Sequence, residues 1–222
     1  MTEKAENLAN KAPMSETEID LDAWPRAAQF QWFRTYERPH YATTSRLDVT
    51  HLVGRRENDG VSFYRACLFA VSDGLHAVPE LLMRFRGDRV VIHSDIDLSM
   101  PVPKPKGGFN YAYLPRVSDF AAFDVASAKI IADTAAQDDL NPVGATQDAV
   151  AFLSCMPWLD YTAINNAMPH KHDCIPRVAW GKFVPEGDRW KMAMTLEVHH
   201  ALVDGEQVGA FFANVQKTLD AI

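Results

Sequence analysis

The sequence has little cysteine and no long apolar run, and each shortage excludes a class of protein. Its 222 residues include three cysteines, Cys67, Cys155 and Cys174, which lie far apart in the chain. A low, odd count without a regular spacing argues against a disulfide-stapled fold and indicates a reducing compartment, so we expect a cytoplasmic protein. No apolar stretch approaches the roughly 18 residues of a membrane span, and the polar start lacks the apolar segment of a secretory signal.

Positive charge is also scarce relative to negative charge. The chain has 22 lysine and arginine residues against 29 aspartate and glutamate residues, a net charge of -7. An acidic surface argues against nucleic acid or an anionic membrane as a partner. The remaining composition, 47% hydrophobic and 23% charged, is typical of a soluble globular protein. A chain of this length buries roughly 70% of the surface that it exposes when unfolded.

Helical and extended periodicities follow each other irregularly, without an internal repeat. The first 18 residues carry few large apolar side chains, which predicts a mobile tail before a single domain over residues 19–222. Apolar spacing predicts helices at residues 24–36, 61–78, 119–137 and 206–222, with Pro25 opening the first. Strands are predicted at residues 41–50 and 148–158 and in hairpins over residues 81–100 and 174–200. We therefore expect an α/β two-layer sandwich, a mixed β-sheet with helices mainly on one face.

A histidine pair ends the last predicted strand, in the stretch LEVHHALVDGEQVGAFF. His199 and His200 are followed by Asp204-Gly205 and then by a helical pattern. Adjacent strand residues point to opposite faces of a sheet, so the two histidines cannot have the same role. Either both are structural residues at a strand end, or one of them faces a cleft and takes part in chemistry.

Several segments together resemble the chloramphenicol acetyltransferase family. HHALVDG matches the family's His-His-x-x-x-Asp-Gly motif, and AWPRAA, LDVT, FLSCMPW and IPRVAWGKF match further family segments in the same order. Peptide-synthetase condensation domains and dihydrolipoamide acyltransferases carry related motifs, but the chain is too short for a condensation domain. The resemblance extends from about residue 19 to residue 222. It implies a CoA-dependent acyltransferase that needs no metal and forms a homotrimer with active sites at subunit interfaces.

The resemblance also implies the catalytic roles of four residues. His200, the second histidine of the pair, would be the general base that activates a substrate hydroxyl, because a neutral imidazole titrates near the working pH. Ser154 would donate a hydrogen bond to the oxyanion of the tetrahedral intermediate. Asp204 would pair with Arg26 and hold the site in shape. The residues alone leave open that Ser154 is a satisfied polar residue and Asp204 a helix cap.

Five further residues match binding positions of the family. Phe33, Tyr41 and Asn166 fall at acceptor-binding positions, although aromatic residues more often belong to a core. Lys182 and Phe183 fall where the family contacts CoA, although a lysine is more often a solvated surface residue. Acetyl-CoA is the expected co-substrate.

Three departures from the family pattern concern the acceptor. Glu206-Gln207 replaces an aromatic residue and a histidine, Asn165-Asn166 interrupts an apolar stretch, and Ala179 replaces a threonine. Chloramphenicol is the leading acceptor, with another alcohol, an amine or a thiol as the alternative and a catalytically silent binding module as a third reading. His170, His172 and Cys174 are usable zinc ligands without an evident fourth, so we expect no metal site.

Overall fold

The structure is a computed structural model that describes residues 14–138, 140 and 147–222. Five helices and nine strands are described in this part of the chain. The helices are α1 (Ala27–Phe33), α2 (Thr50–Asp59), α3 (Phe63–His76), α4 (Phe120–Ala135) and α5 (Gly205–Ala221), with a 3-10 turn at Pro79–Leu82. The strands are β1 (Glu16–Glu18), β2 (His40–Asp48), β3 (Met83–Arg86), β4 (Arg89–His93), β5 (Asp97–Pro103), β6 (Phe109–Leu114), β7 (Val150–Cys155), β8 (Arg177–Glu186) and β9 (Arg189–His199).

A mixed six-stranded sheet organises the molecule. Its strand order is β2-β9-β8-β7-β5-β6, with β7 parallel to both of its neighbours and the other pairs antiparallel. A small antiparallel sheet, β1-β4-β3, lies apart from it. Within the described residues, no helix combines the length and the apolarity needed to cross a membrane.

The two faces of the large sheet differ in chemistry. On β9, the alternate residues Met192, Met194, Leu196 and Val198 belong to the main hydrophobic core, which they share with α3 and α5. Thr195, Glu197 and His199 point the other way and are also buried, at 1%, 4% and 2% exposure. The helices thus cover mainly one face, and the predicted fold class is confirmed. The opposite, polar face contains the cavity of the candidate site.

Helices α3 and α5 approach each other closely over a glycine. A Cβ placed on Gly74 would lie 2.5 Å from the Cγ2 atom of Val215, closer than any real contact. Only a residue without a side chain fits here, and this contact sets how near α5 lies to the core.

Two segments differ from their predicted structure. Glu16–Glu18, placed in the predicted tail, pair with β4, and Arg86 and Arg89 form ion pairs with Glu16 and Glu18. The remaining tail, residues 1–13, lies outside the described residues. Residues Phe109–Leu114, for which no strand was predicted, form β6, where Tyr111 pairs with Pro101 of β5.

Helix α2 was not predicted at all. Its sequence, THLVGRREND, is polar and buries only Leu52 and Val53. At its start, the Asp48 carboxylate accepts hydrogen bonds from the backbone N–H and the hydroxyl of Thr50, at 3.0 and 2.6 Å, while the N-cap residue Val49 has no side-chain cap. The bond to the Thr50 N–H supplies a partner that the first turn lacks.

Candidate active site

The turn between β9 and α5 brings His200 and Asp204 together. The His199 carbonyl accepts hydrogen bonds from the N–H groups of Leu202 and Val203, at 3.0 and 3.2 Å, which closes the turn. The Nδ1 atom of His200 then lies 3.1 Å from Oδ1 of Asp204. The contact is electrostatic, because its angles do not meet those of a hydrogen bond. A carboxylate at this position favours a hydrogen on Nδ1, which leaves Nε2 free to accept a proton.

Two aromatic rings fix the orientation of the His200 ring. Phe33 stacks on it with the ring centroids 3.8 Å apart and the planes 8° apart, and Tyr41 lies tilted against it at 4.7 Å. The Tyr41 hydroxyl donates to the Val203 carbonyl at 3.2 Å. Burial, and then the charge of Asp204, raise the pKa of Tyr41 to about 12, so this hydroxyl keeps its proton. The predicted residues Phe33 and Tyr41 therefore contact the predicted base directly.

Arg26 holds Asp204 from the other side. Its Nε donates to Oδ2 of Asp204 at 3.1 Å, and its Nη2 lies 2.8 Å from Oδ1 in an ion-pair contact. The same guanidinium also donates to the Leu202 carbonyl and, at 3.5 Å, to the His200 carbonyl. Asp204 is at the same time the N-cap of α5, where its N–H donates to Gln207 Oε1 at 3.0 Å. Both roles predicted for Asp204 are thus present together.

We predict that Asp204→Asn or Arg26→Ala lowers the free energy of unfolding by about 1–3 kcal/mol. A fully buried pair would cost about 3–5 kcal/mol when broken from one side, and Asp204 keeps a third of its side chain exposed. Asparagine caps helices as well as aspartate, so the first variant isolates the ion pair. Urea midpoints measure the loss. Asp133→Asn, which breaks a surface pair on α4, is the matched control and should change little. Equal midpoints in all three variants would contradict a stabilising pair.

His199 has a different environment from its neighbour. Its Nε2 donates to the Lys171 carbonyl at 3.0 Å, and its Nδ1 accepts from the N–H of Ala201 at 3.1 Å. Both ring nitrogens are therefore occupied, which defines a neutral tautomer. Burial, and then the nearby His40, lower the pKa of His199 to about 3. A histidine locked in this way has no free nitrogen for proton transfer.

The depressed pKa of His199 predicts a specific loss of stability in acid. Because this pKa falls from 6.5 in the unfolded chain to about 3 in the folded protein, the unfolded chain takes up the proton first as the pH drops below 6.5. Stability from this group is complete above pH 6.5 and falls by about 2 kcal/mol at pH 5. In His199→Gln, which keeps a donor but does not titrate, the urea midpoint should fall less between pH 7 and pH 5. An equal fall in both proteins would show that His199 is not the cause.

Ser154 lies in a cavity of about 460 Å³ on the polar face of the sheet. The predicted residue Asn166 lines the same cavity, together with Ser99, Pro101, Phe109, Tyr111, Phe152, Leu153, Arg177 and Val178. The cavity mixes aromatic walls with a few polar groups, as small-molecule sites do. It brings Ser154 and Asn166 together but does not include His200.

The strand register gives the separation of Ser154 from His200. Ser154 aligns with Ala179 on β8, and Ala179 aligns with Thr195 on β9. His200 lies five residues beyond Thr195. With about 3.3 Å per residue and about 4.8 Å between strands, the two Cα atoms are about 19 Å apart. One reacting carbonyl cannot touch both side chains of the same chain.

The two residues predicted to contact CoA lie on β8, toward the Ser154 side of the sheet. Lys182 is exposed, and its N–H donates to the Leu159 carbonyl at 2.7 Å. Phe183 packs against Phe63 and Trp190, with centroid distances of 4.6 and 5.5 Å. Phe183 is thus packed among aromatic side chains, whereas the exposed side chain of Lys182 is free to reach a ligand.

The sequence prediction missed Arg177, which lines the cavity, and Glu197, which accepts hydrogen bonds from the cavity residue Asn166. They are register partners on β8 and β9, both buried on the polar face. A signal existed, because Thr195, Glu197 and His199 place a polar side chain at every second position of an apolar strand. Among the residues that the structure describes, no group of three or more histidine, cysteine and acidic side chains is arranged to hold a metal ion.

Comparisons with known proteins identify the family of this chain. The sequence profile of the chloramphenicol acetyltransferase family matches residues 14–216. Chloramphenicol acetyltransferase 3 from Escherichia coli is 24% identical over 206 residues, 92% of this chain and 97% of that protein. Chloramphenicol acetyltransferase 2 from Escherichia coli is 26% identical over 215 residues, 94% of this chain and 99% of that protein.

Solved structures extend the comparison. A chloramphenicol acetyltransferase superposes with a TM-score of 0.84 at 27% identity, covering 92% of this chain and 100% of that one. A probable dihydrolipoamide acetyltransferase from Listeria monocytogenes has a TM-score of 0.64 at 14% identity, covering 96% of each chain, and shares the fold alone. Since the family profile spans most of the chain, this protein belongs to the chloramphenicol acetyltransferase family and is an acyltransferase.

Proposed function

We propose that the protein transfers an acetyl group from acetyl-CoA to a substrate hydroxyl, with His200 as the general base. The hydroxyl oxygen attacks the thioester carbonyl while Nε2 of His200 accepts its proton. The tetrahedral intermediate then collapses, the carbon–sulfur bond breaks, and the CoA sulfur takes the proton from His200. The products are an ester and free CoA, and His200 returns to its neutral form.

Besides His200, five residues serve that reaction. Phe33 and Tyr41 hold the imidazole ring in one orientation, and Asp204 stabilises the charge that the ring gains. Ser154 donates a hydrogen bond to the oxyanion, a contribution worth about 3–4 kcal/mol in other acyl transfers. Lys182 is available to the phosphates of CoA.

The observation that carries the proposal is the separation of about 19 Å between Ser154 and His200. A site that needs both is complete only when His200 of one chain faces Ser154 of another. Exposed aromatic residues flank each half, since Trp32 beside Phe33 is 62% exposed and Trp158 beyond Ser154 is 72% exposed. Two different patches that meet form a head-to-tail contact, and such contacts close into a ring when the rotation between subunits allows it. We propose that the protein is such a ring, a homotrimer with active sites between subunits, and that it acts in the cytoplasm.

Chloramphenicol is the first acceptor to test. We expect release of CoA from acetyl-CoA with chloramphenicol, at a raised KM, because Asn166 and Arg177 make the cavity more polar than an apolar drug requires. A raised KM with kcat retained indicates lost uniform binding rather than lost transition-state stabilisation. Steady-state kinetics with a thiol reagent measures both constants.

The other outcomes of this assay separate the alternatives. Turnover of another alcohol, an amine or a thiol, but not of chloramphenicol, would support the same acyl transfer with a different acceptor. Binding of CoA without turnover of any acceptor would contradict the proposed reaction and favour a silent module. A low KM for chloramphenicol would show that the polar residues do not hinder the drug.

A further inference from the structure

The cavity beside Ser154 has an apolar body and a polar end. Its body is aromatic or apolar, formed by Pro101, Phe109, Tyr111, Phe152 and Val178. Asn166 and Arg177 also line it and are linked through Glu197, which binds Asn166 and is the register partner of Arg177; we name Asn166 and Arg177 the polar end wall. Both side chains are held by buried carboxylates, so the directions of their remaining hydrogen-bonding groups are fixed.

Arg177 offers directed donors rather than net charge. Asp173 binds its two Nη atoms at 3.1 and 2.8 Å, and the Ile175 carbonyl accepts from Nη1 at 3.0 Å. These described partners take three of the five N–H groups and neutralise the charge, which leaves two donors for a ligand. The guanidinium carbon lies 5.2 Å from the centroid of the Phe152 ring, another residue of the cavity. Only 8% of Arg177 is exposed, and the residue lines the cavity.

Asn166 offers an acceptor to the same space. Its backbone N–H and its Nδ2 both donate to Oε2 of Glu197, at 2.7 and 2.8 Å. A carboxylate only accepts, so the amide nitrogen must face Glu197 and the amide oxygen must point away from it. Glu197 is 4% exposed and fixes this orientation from behind the wall. The polar end wall therefore presents a carbonyl oxygen beside guanidinium donors.

We propose that the polar end wall selects acceptors with a neutral group that both accepts and donates hydrogen bonds, of the carboxamide class. The amide oxygen would accept from Arg177, and the amide nitrogen would donate to Asn166. Register places the Cα atoms of Ser154 and Arg177 roughly 8 Å apart, one strand across and two residues along. A molecule with an aromatic ring between its hydroxyl and its amide spans that separation. This inference rests on the proposed acetyl transfer and names the acceptor class for the same site.

Three small alcohols test the selection, and they differ only at the far end of one ring. They are para-(hydroxyethyl)benzamide, para-(hydroxyethyl)toluene and para-(hydroxyethyl)benzoate, each assayed with acetyl-CoA for release of CoA. We expect kcat/KM for the amide to exceed that for the toluene about 10-fold or more, because the methyl group leaves polar groups of the wall without partners. The benzoate should also fall below the amide, because its carboxylate meets the Asn166 oxygen and the nearby Glu197.

Variants of the polar end wall test whether these residues cause the preference for the amide over the toluene. Arg177→Met and Asn166→Leu should each bring the amide-to-toluene ratio to within about 3-fold of one. The ratio is measured on one preparation and so does not depend on how much of the protein is folded. Arg89→Met, on an exposed arginine of β4, is the matched control and should keep the ratio of the parent. A ratio near one in the parent, a preference for the benzoate, or an unchanged ratio in both wall variants would overturn the proposal.

A binding measurement separates this proposal from the proposed reaction. Saturation-transfer NMR with benzamide and toluene, without acetyl-CoA, should detect binding of benzamide to the parent and its loss in Arg177→Met. Benzamide binding that depends on Arg177, without any acetyl transfer, would support the wall and contradict the reaction. Acetyl transfer to chloramphenicol or to the toluene without benzamide binding would support the reaction and contradict the proposed role of the polar end wall.

Discussion

Replacing His200 with alanine is expected to lower kcat about 10²-fold or more while the protein stays folded. The variant removes the imidazole that we propose as the acceptor of the hydroxyl proton, and His200 is a third exposed, so little packing is lost. Steady-state release of CoA measures the rate, and circular dichroism and the oligomeric state by light scattering report on the fold. Binding of acetyl-CoA should be retained.

Two other histidines serve as controls for this result. His51→Ala changes an exposed residue of α2 and should leave kcat at the parent value. His199→Ala removes a buried ring with two hydrogen bonds, so we expect lower stability with residual activity in the folded fraction. An active His200→Ala beside an inactive but folded His199→Ala would reverse the assignment of the base.

Mixing two inactive variants is expected to restore activity. Ser154→Ala loses the oxyanion donor and His200→Ala loses the base, so each alone should be nearly inactive. If each site takes Ser154 from one chain and His200 from the next, about a third of the sites are complete in trimers that contain both variants. Coexpression of the two variants with different tags, followed by tandem purification, provides the mixed assembly for the assay.

The same experiment can also contradict the arrangement of the site between subunits. Sites built within one chain would give mixed assemblies without recovery, and that result would reject the arrangement between subunits. The double variant carrying both changes, mixed with either single variant, is the control, because it cannot complete a site with that partner. Activity there would indicate contamination by the parent protein.

Most of the fold was predictable because its elements carry strong periodic signals. The apolar stripe of α5 and the alternation of β9 each describe a buried face, and both elements formed where predicted. Helix α2 lacks such a face, and the hydrogen bond from Thr50 to Asp48 at its start is a contact that apolar spacing does not reveal. Glu16–Glu18 form a strand because β4 offers a free edge, and because Arg86 of β3 and Arg89 of β4 offer ion pairs, which is information from elsewhere in the chain.

The residues of the candidate site were also predictable only in part. Pattern and resemblance together indicated His200, Asp204 and Arg26, which the structure brings into contact. They did not indicate Arg177 or Glu197, because the character of these positions depends on which strands are neighbours. Strand order is a property of the tertiary fold, and local sequence carries little of it.

The tight crossing of α3 over α5 has a consequence for the evolution of this chain. Gly74 leaves no room for a methyl group so long as valine occupies position 215, since the two would approach to 2.5 Å. An alanine at position 74 becomes acceptable only after position 215 has shrunk, for example to alanine, and a lineage that acquires the changes in the opposite order passes through a displaced α5. Because Asp204 caps α5, that intermediate would also misplace the carboxylate beside His200. We therefore expect substitutions at positions 74 and 215 to covary among close relatives, with the smaller side chain at 215 appearing first.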